Sequence, residues 1–257
     1  MRIATWNVNG IRARLDYIRL WLRERRPDIV GLQELKVVDE QFPHADLEQE
    51  GYRALVHGQK AWNGVAVLTR GAAEVLQTGL PGQEDFGARL ISATVNGLRF
   101  TTVYVPNGKQ VQHDDFTRKL AWLDQLTNHL REQTAGTDDA VLCGDFNICP
   151  EPIDSWNEER FAGSIFHTDD ERARYRMLLE CGYTDLYRNS FPDKQEFSWW
   201  DYRGGSFHRG HGLRIDFLLA TASVASRLRS VEIDREFRKK IGEVKPSDHA
   251  PVIADLD

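Results

Sequence analysis

The run Ala140 to Gly144 is apolar to its end and closes on Asp145-Phe146-Asn147, and this arrangement recurs along the chain. A strand apolar throughout is covered on both faces, so its polar side chains fall where it ends. Ile3 to Val8 predicts such a strand; Asn9-Gly10 breaks it, and Ile11, Leu15, Ile18 and Leu22 then recur at helical spacing until Arg26-Pro27 stops the helix. Asp28 to Gln33 predicts a second strand, ending on Glu34. Gly64 to Thr69 and Leu90 to Val95 read likewise, and the latter meets Leu98 to Val105 across Asn96-Gly97, a signal for a tight antiparallel hairpin. Phe116, Leu120, Leu123, Leu126 and Leu130 mark a helix face, and Asp170 to Glu180 predicts a further helix closed at Cys181-Gly182. Late strands are expected at Phe197 to Tyr202, Leu213 to Ala220, Val231 to Phe237 and Pro251 to Asp255. Strands interleaved with helices, plus a hairpin, predict a mixed α/β fold rather than a purely parallel one.

The 257 residues contain no fixed-period repeat, low-complexity tract or long Pro/Gly/Ser linker, so one domain over 1–257 is expected. Charge interrupts every apolar run well short of the roughly 18 residues a spanning helix needs, and Met1 leads straight into strand-like sequence. Neither a membrane partner nor a secretory signal is expected. Cys143, Cys149 and Cys181 are odd in number and lack CxxC spacing, which argues against a disulfide framework or zinc site and for a cytoplasmic setting. With 39 acidic residues against 33 Lys plus Arg the net charge is −6, so a polyanionic partner would have to be held by a local basic surface.

Asn7, Glu34, Asp145, Asn147, Asp216, Asp248 and His249 each fall within or at the end of an apolar segment. Any one of them alone reads as a turn or cap residue. Together, four carboxylates would repel one another unless a cation held them, and an all-oxygen set of Asp, Glu and Asn suits Mg²⁺ or Mn²⁺ rather than zinc. Periodicity does not bring them to one place.

The segments Thr5-Trp6-Asn7-Val8-Asn9-Gly10-Ile11-Arg12, Leu32-Gln33-Glu34-Leu35-Lys36, Gly144-Asp145-Phe146-Asn147, Leu213-Arg214-Ile215-Asp216 and Pro246-Ser247-Asp248-His249-Ala250-Pro251 resemble, in order, the motifs of the exonuclease III family within the endonuclease/exonuclease/phosphatase superfamily. GDFN alone is weak; five motifs in order, covering essentially the whole chain, are strong. The resemblance implies a four-layer sandwich, two mixed sheets facing each other between helices, with the site at one end of the sheets. It implies Asn7 and Glu34 as metal ligands, with Asp248, Asp145, Asn147 and His249 completing the candidate metal set. Asp145 would activate water or protonate the leaving oxygen, with Asn147 orienting it or binding the phosphoryl group. His249 would contact the scissile phosphate, Asp216 would fix its tautomer, and Tyr104 would lie near that phosphate. A cation, an amide, an imidazole and a phenol directed at a phosphodiester stabilise its developing charge.

Arg12, Arg14, Lys36, Arg89, Lys109, Arg118, Lys119, Arg203 and Arg209 cluster in loops predicted near those strand ends, with Arg12, Lys36 and Arg89 adjoining the motifs. Contacts of this kind would set register on a phosphate backbone without reading bases. Phe197-Ser198-Trp199-Trp200-Asp201-Tyr202-Arg203 resembles the family segment walling a pocket for a flipped abasic sugar, completed by Leu213 and Ile215. Trp156, Phe161, Phe166 and His167 make Ser155 to Asp170 bulky; overhanging the site, this segment would restrict an internal abasic site more than a 3′ end.

The expected function is therefore a Mg²⁺-dependent DNA repair nuclease, Mn²⁺ substituting, that acts as a monomer on duplex DNA carrying abasic sites, nicks or blocked 3′ ends. Its expected activities are 3′-to-5′ exonuclease, 3′-phosphatase and abasic-site endonuclease. The rivals are a superfamily phosphatase on a small phosphorylated substrate, disfavoured by the FSWWDYR segment, and an inactive binding relative, disfavoured by intact Glu34, Asp145, Asp216 and Asp248-His249.

Overall fold

The structure is a computed structural model that describes residues 1–134 and 139–257. Its strands are β1 (Arg2–Asn7), β2 (Ile29–Gln33), β3 (Arg53–His57), β4 (Val65–Thr69), β5 (Ala73–Thr78), β6 (Leu90–Val95), β7 (Leu98–Tyr104), β8 (Ala140–Asp145), β9 (Tyr183–Asp185), β10 (Asp216–Thr221), β11 (Leu228–Ile233) and β12 (Val252–Leu256). They form two six-stranded sheets, ordered β11-β12-β1-β2-β4-β3 and β5-β6-β7-β8-β10-β9. Each sheet is mixed: β1 and β2 run parallel, as do β7 and β8, beside antiparallel pairs.

Period-two alternation explains the layers. Ile3, Ile29, Val65 and Val67 face a core between the sheets that also holds Ile91, Phe100, Val141 and Leu218. Their neighbours Ala4, Val30, Leu32, Ala66 and Leu68 face outward onto Ile18, Trp21 and Leu22 of the helix Leu15–Arg25. On the far side, Leu142, Phe217 and Leu219 pack on Leu123, Leu126 and Leu130 of the helix Asp114–Thr134 and on Tyr175 and Leu178 of the helix Asp169–Glu180. The result is the expected helix, sheet, sheet, helix sandwich. Among the described residues no helix is long and apolar enough to cross a membrane.

Several elements differ from the sequence reading. Phe197 to Tyr202 is not a strand: Ser198 N–H and Trp199 N–H both donate to Leu213 O, Trp200 N–H donates to Asp248 O, and Ser198 O accepts from Ala250 N–H. Its hydrogen bonds tie two site loops together instead of extending a sheet. Leu213 lies before β10, which begins at Asp216, and the strand expected at Val231 to Phe237 is β11, followed by a 3₁₀ turn over Arg235–Arg238. The helix expected from Ile11 starts as a 3₁₀ turn, Arg12–Arg14. Strands β3, β5 and β9 were not anticipated: β3 and β5 are edge strands that bury little, and β9 is only three residues long.

Candidate active site

Register assembles the site. Asp145 ends β8 directly opposite Asp216 of antiparallel β10 and directly beside Tyr104 of parallel β7. Gly144, at φ +144°, permits this approach, because a Cβ there would collide with Val103 O. In the facing sheet, Asn7 pairs with Gln33, so Asn7 and Glu34 stand at the ends of neighbouring strands. Asn7 Nδ2 crosses between the sheets and donates to Asp145 Oδ2 at 2.8 Å. Glu34 and Asn147 are both left-handed, at φ +60° and +50°, so each strand leaves its sheet abruptly.

The centre is a buried triad. His249 Nδ1–H donates to Asp216 Oδ2 at 2.9 Å, and Nε2 lies 3.8 Å from Asp145 Oδ2. Ser198 Oγ donates to Asp216 Oδ2 at 2.6 Å. Burial pushes the Asp145 carboxyl up to about 7 against the pull of His249. Burial also opposes the His249 charge, but Asp216 and Asp145 outweigh it and hold the imidazolium up to about 10. Asn147 N–H donates to Asp145 Oδ1 at 3.0 Å, and Asn147 Nδ2 donates to Val105 O at 3.0 Å. The Tyr104 phenol is raised well above its ordinary range by burial and by the charges of Glu34 and Asp145, so it is a neutral O–H donor.

Asp248 accepts from Asn9 Nδ2 at 2.9 Å and Trp199 Nε1 at 3.1 Å. Burial opposes its charge, but His249 and these two donors hold the carboxyl below the usual range. Lys36 Nζ lies 2.9 Å from Glu34 Oε1 and donates to Asn9 Oδ1 at 2.6 Å.

The donor chemistry fits a hard divalent cation. Glu34, Asp145 and Asp248 all bear on the Tyr104 phenol, and Asn7 Oδ1, which among the described residues accepts Asn9 N–H alone, keeps a second lone pair. Asp145, Asp216 and His249 also cluster with ligand atoms within 4.8 Å of one another. Their mutual hydrogen bonds and the Asn7 amide already occupy that cluster, so the Glu34 and Asn7 oxygens are the better candidates.

The endonuclease/exonuclease/phosphatase family description matches residues 4–249. Over 269 aligned residues, spanning all of both chains, the protein is 34% identical to exodeoxyribonuclease III of Haemophilus influenzae. The chain belongs to this family, in its exonuclease III branch. Among solved structures, it is similar to the 3′ phosphatase NExo from Neisseria bound to product DNA hairpin, with TM-score 0.96 and 38% identity over 100% of this chain and 99% of that one. It is also similar to an AP endonuclease from Archaeoglobus fulgidus, at TM-score 0.94 and 37% identity with the same coverage.

The basic residues expected in loops near the strand ends have different fates. Arg89 is turned inward: Nε donates to Phe86 O and Nη1 to Tyr104 O, both at 3.0 Å, and the guanidinium lies over the Tyr104 ring. It braces the tyrosine rather than presenting a free cation. Lys119 is fully buried, with Nζ 2.5 Å from Glu171 Oε1 and 2.6 Å from Asn147 O, so it is no surface contact. Lys36 is engaged by Glu34 as above. Arg12 stays exposed, donating to Gln41 O at 3.3 Å. Lys109, paired with Asp115 at 2.6 Å, lines a cavity of about 430 Å³ with Glu34, Trp62, Arg89, Tyr104 and Arg118.

Trp199 and Leu213 line a second cavity of about 320 Å³, faced by Trp156, Phe161, Phe166 and His167. Ile215 packs below, against Cys149 and Leu213. Sequence reasoning missed Asn9, Ser198, Ser247 and Glu171. Asn9, Ser198 and Ser247 lie inside the quoted segments, so their presence was visible but their partners were not. Ser247 Oγ donates to Asn7 O at 2.7 Å and accepts from His249 N–H at 3.2 Å, joining the first and last motifs.

Proposed function

We propose that this chain is a Mg²⁺-dependent DNA repair nuclease, one catalytic domain over 1–257, that hydrolyses phosphate esters at 3′ ends of duplex DNA. The observation that carries this reading is the Asp216–His249–Asp145 array, opposed across the cleft by Glu34 and Asn7. Full-length similarity to exodeoxyribonuclease III and to the DNA-bound Neisseria 3′ phosphatase supports DNA as substrate. The three free cysteines support a reducing, cytoplasmic setting.

His249, kept cationic by Asp216, donates from Nε2 to a phosphoryl oxygen, and the neutral Tyr104 phenol donates to another. Asp145, with its carboxyl near 7, takes a proton from the attacking water or returns one to the leaving oxygen at neutral pH. Asn7 and Asn147 N–H hold that carboxylate in place. Glu34 and Asn7 would hold Mg²⁺ or Mn²⁺, which supplies Lewis-acid stabilisation of phosphoryl charge. Trp199 and Leu213 receive the terminal sugar, with Ile215 packed beneath them. The wall formed by Phe166 and His167 narrows that pocket and favours 3′-end processing over internal abasic incision. His167 is fixed there by Nε2 to Ser155 Oγ at 3.0 Å and by stacking on Phe161.

The test is a panel of end-labelled duplexes carrying a 3′-phosphate, a recessed 3′ end or an abasic site, assayed with EDTA and after Mg²⁺ or Mn²⁺ addition. Turnover should vanish in EDTA and return with either cation, and Glu34→Ala should weaken cation affinity and turnover together. Full EDTA resistance would sink the metal assignment. Hydrolysis of inositol phosphates but not duplexes would favour the superfamily phosphatase.

A further inference from the structure

A wide cavity lies beside the catalytic centre rather than in it. It encloses about 570 Å³, and five cationic side chains, Arg14, Arg238, Lys239, Lys240 and Lys245, line it against one carboxylate, Asp201. On a chain of net charge −6 this is a strong local reversal of sign. Its floor is aromatic: the Arg238 guanidinium lies 5.2 Å from the Tyr202 ring centroid and 5.1 Å from that of Phe207.

The cavity is built into the site's own walls. Arg238 Nε donates to Asp248 O at 3.0 Å and Nη2 to Trp200 O at 3.1 Å. Tyr202 OH donates to Pro246 O at 2.9 Å, joining the segment after Trp199 to the segment before Asp248-His249. Arg14 Nη2 donates to Tyr202 OH at 3.1 Å, while its buried Nε has no partner. Arg238 and Arg14 are thus fixed parts of the frame. The three lysines form the rim. Among the described residues the Lys239 and Lys240 ammonium groups pair only at the surface, with Glu236 and Glu243, and such pairs are weak and yield readily to another anion. Among the described residues Lys245 is in no ion pair. By contrast, Lys36, Arg89 and Lys119 are held by the protein itself and cannot supply this charge.

We infer that this basic cavity is a docking site for the phosphodiester backbone of one duplex arm flanking the scissile phosphate, with Lys240 and Lys245 neutralising backbone phosphates. The inference rests on the DNA-nuclease reading and adds where the substrate's flank is held. The segments that wall the cavity adjoin Trp199 and Asp248-His249, which puts this rim beside the path of a strand seated on His249.

The test is equilibrium binding of a nicked duplex with long arms as a function of KCl, for the parent, Lys240→Ala/Lys245→Ala, Lys245→Glu, and a control pair outside the cavity, Arg53→Ala/Lys194→Ala. The slope of log K against log salt should flatten by about 0.9 for each phosphate that the double variant no longer neutralises. Lys245→Glu should weaken binding further, and the control should match the parent. On duplexes lacking one arm or the other, parent and double variant should converge in affinity when the arm that reaches the cavity is removed. Melting temperatures report whether each variant is folded. Equal slopes for parent and double variant, or equal flattening in the control, would overturn the docking site while leaving the nuclease reading intact. A parent that neither binds nor hydrolyses duplex DNA would overturn both.

Discussion

Lys119 and Glu171 form an ion pair with both side chains at 0% exposure, and the pair joins the catalytic loop to the pocket wall. Lys119 Nζ donates to Asn147 O at 2.6 Å, and Glu171 accepts from Phe166 N–H at 3.1 Å and from Thr168 Oγ1 at 2.7 Å. Burial lowers the Lys119 pKa against the pull of Glu171, so the lysine's charge depends on its partner. Lys119→Met would leave the Glu171 carboxylate buried with neutral donors alone. Removing one partner of a buried pair costs about 3–5 kcal/mol. At roughly 2–4 °C per kcal/mol for a chain near this size, melting should fall by about 6–20 °C. Lys119→Met/Glu171→Leu removes both charges and should recover part of that deficit, short of the hydrogen bonds that the Glu171 carboxylate accepts from Phe166 N–H, Thr168 N–H and Thr168 Oγ1, each worth about 1 kcal/mol. The double variant then isolates position from stability: folded, it should still show a lower kcat and an altered ratio of abasic incision to 3′-phosphate removal, because Asn147 and Phe166 are no longer tied together. Paired thermal melts and single-turnover rates make the measurement. A single variant destabilised by less than about 1 kcal/mol, or a double variant as unstable as the two singles combined, would refute the reasoning.

His249→Gln should lower the chemical step by about 10² or more, roughly 2.7 kcal/mol. It also removes the imidazolium that pulls the Asp145 carboxyl down toward about 7, so the acidic limb of the residual pH–rate profile should move to higher pH; an unmoved limb would exclude Asp145 as the titrating group. Arg89→Ala should reduce turnover by removing the Tyr104 brace while leaving the salt slope of DNA binding unchanged, and a flattened slope would show that Arg89 reaches phosphate after all. Phe166→Gly/His167→Ser should raise abasic-site incision relative to 3′-phosphate removal, aided by glycine's tolerance of the φ of +73° at position 166, whereas Trp199→Ala should lower it; matched-duplex rates decide, and an unchanged ratio in the first variant would remove the crowding argument.

The apolar runs of the central strands were legible because a strand covered on both faces is apolar throughout, and its own period then divides its side chains between two cores. Ile3, Ile29 and Val67 could face one core and Ala4, Val30 and Leu68 the other in no other way. The ordered motifs likewise marked Asn7, Glu34, Asp145, Asp216 and His249 as a set. Their convergence was decided by tertiary structure, since a period says nothing about which element lies opposite: Asn7 meets Asp145 across 138 residues and His249 meets Asp216 across 33. The same limit explains Lys119 and Arg89. Both look like surface cations in sequence, because a Lys or Arg usually is one, but the packed sandwich turned one into a buried tie and the other into a brace. It also left the 238–245 loop and Arg14 to form the basic cavity, whose charge no composition of net −6 announces.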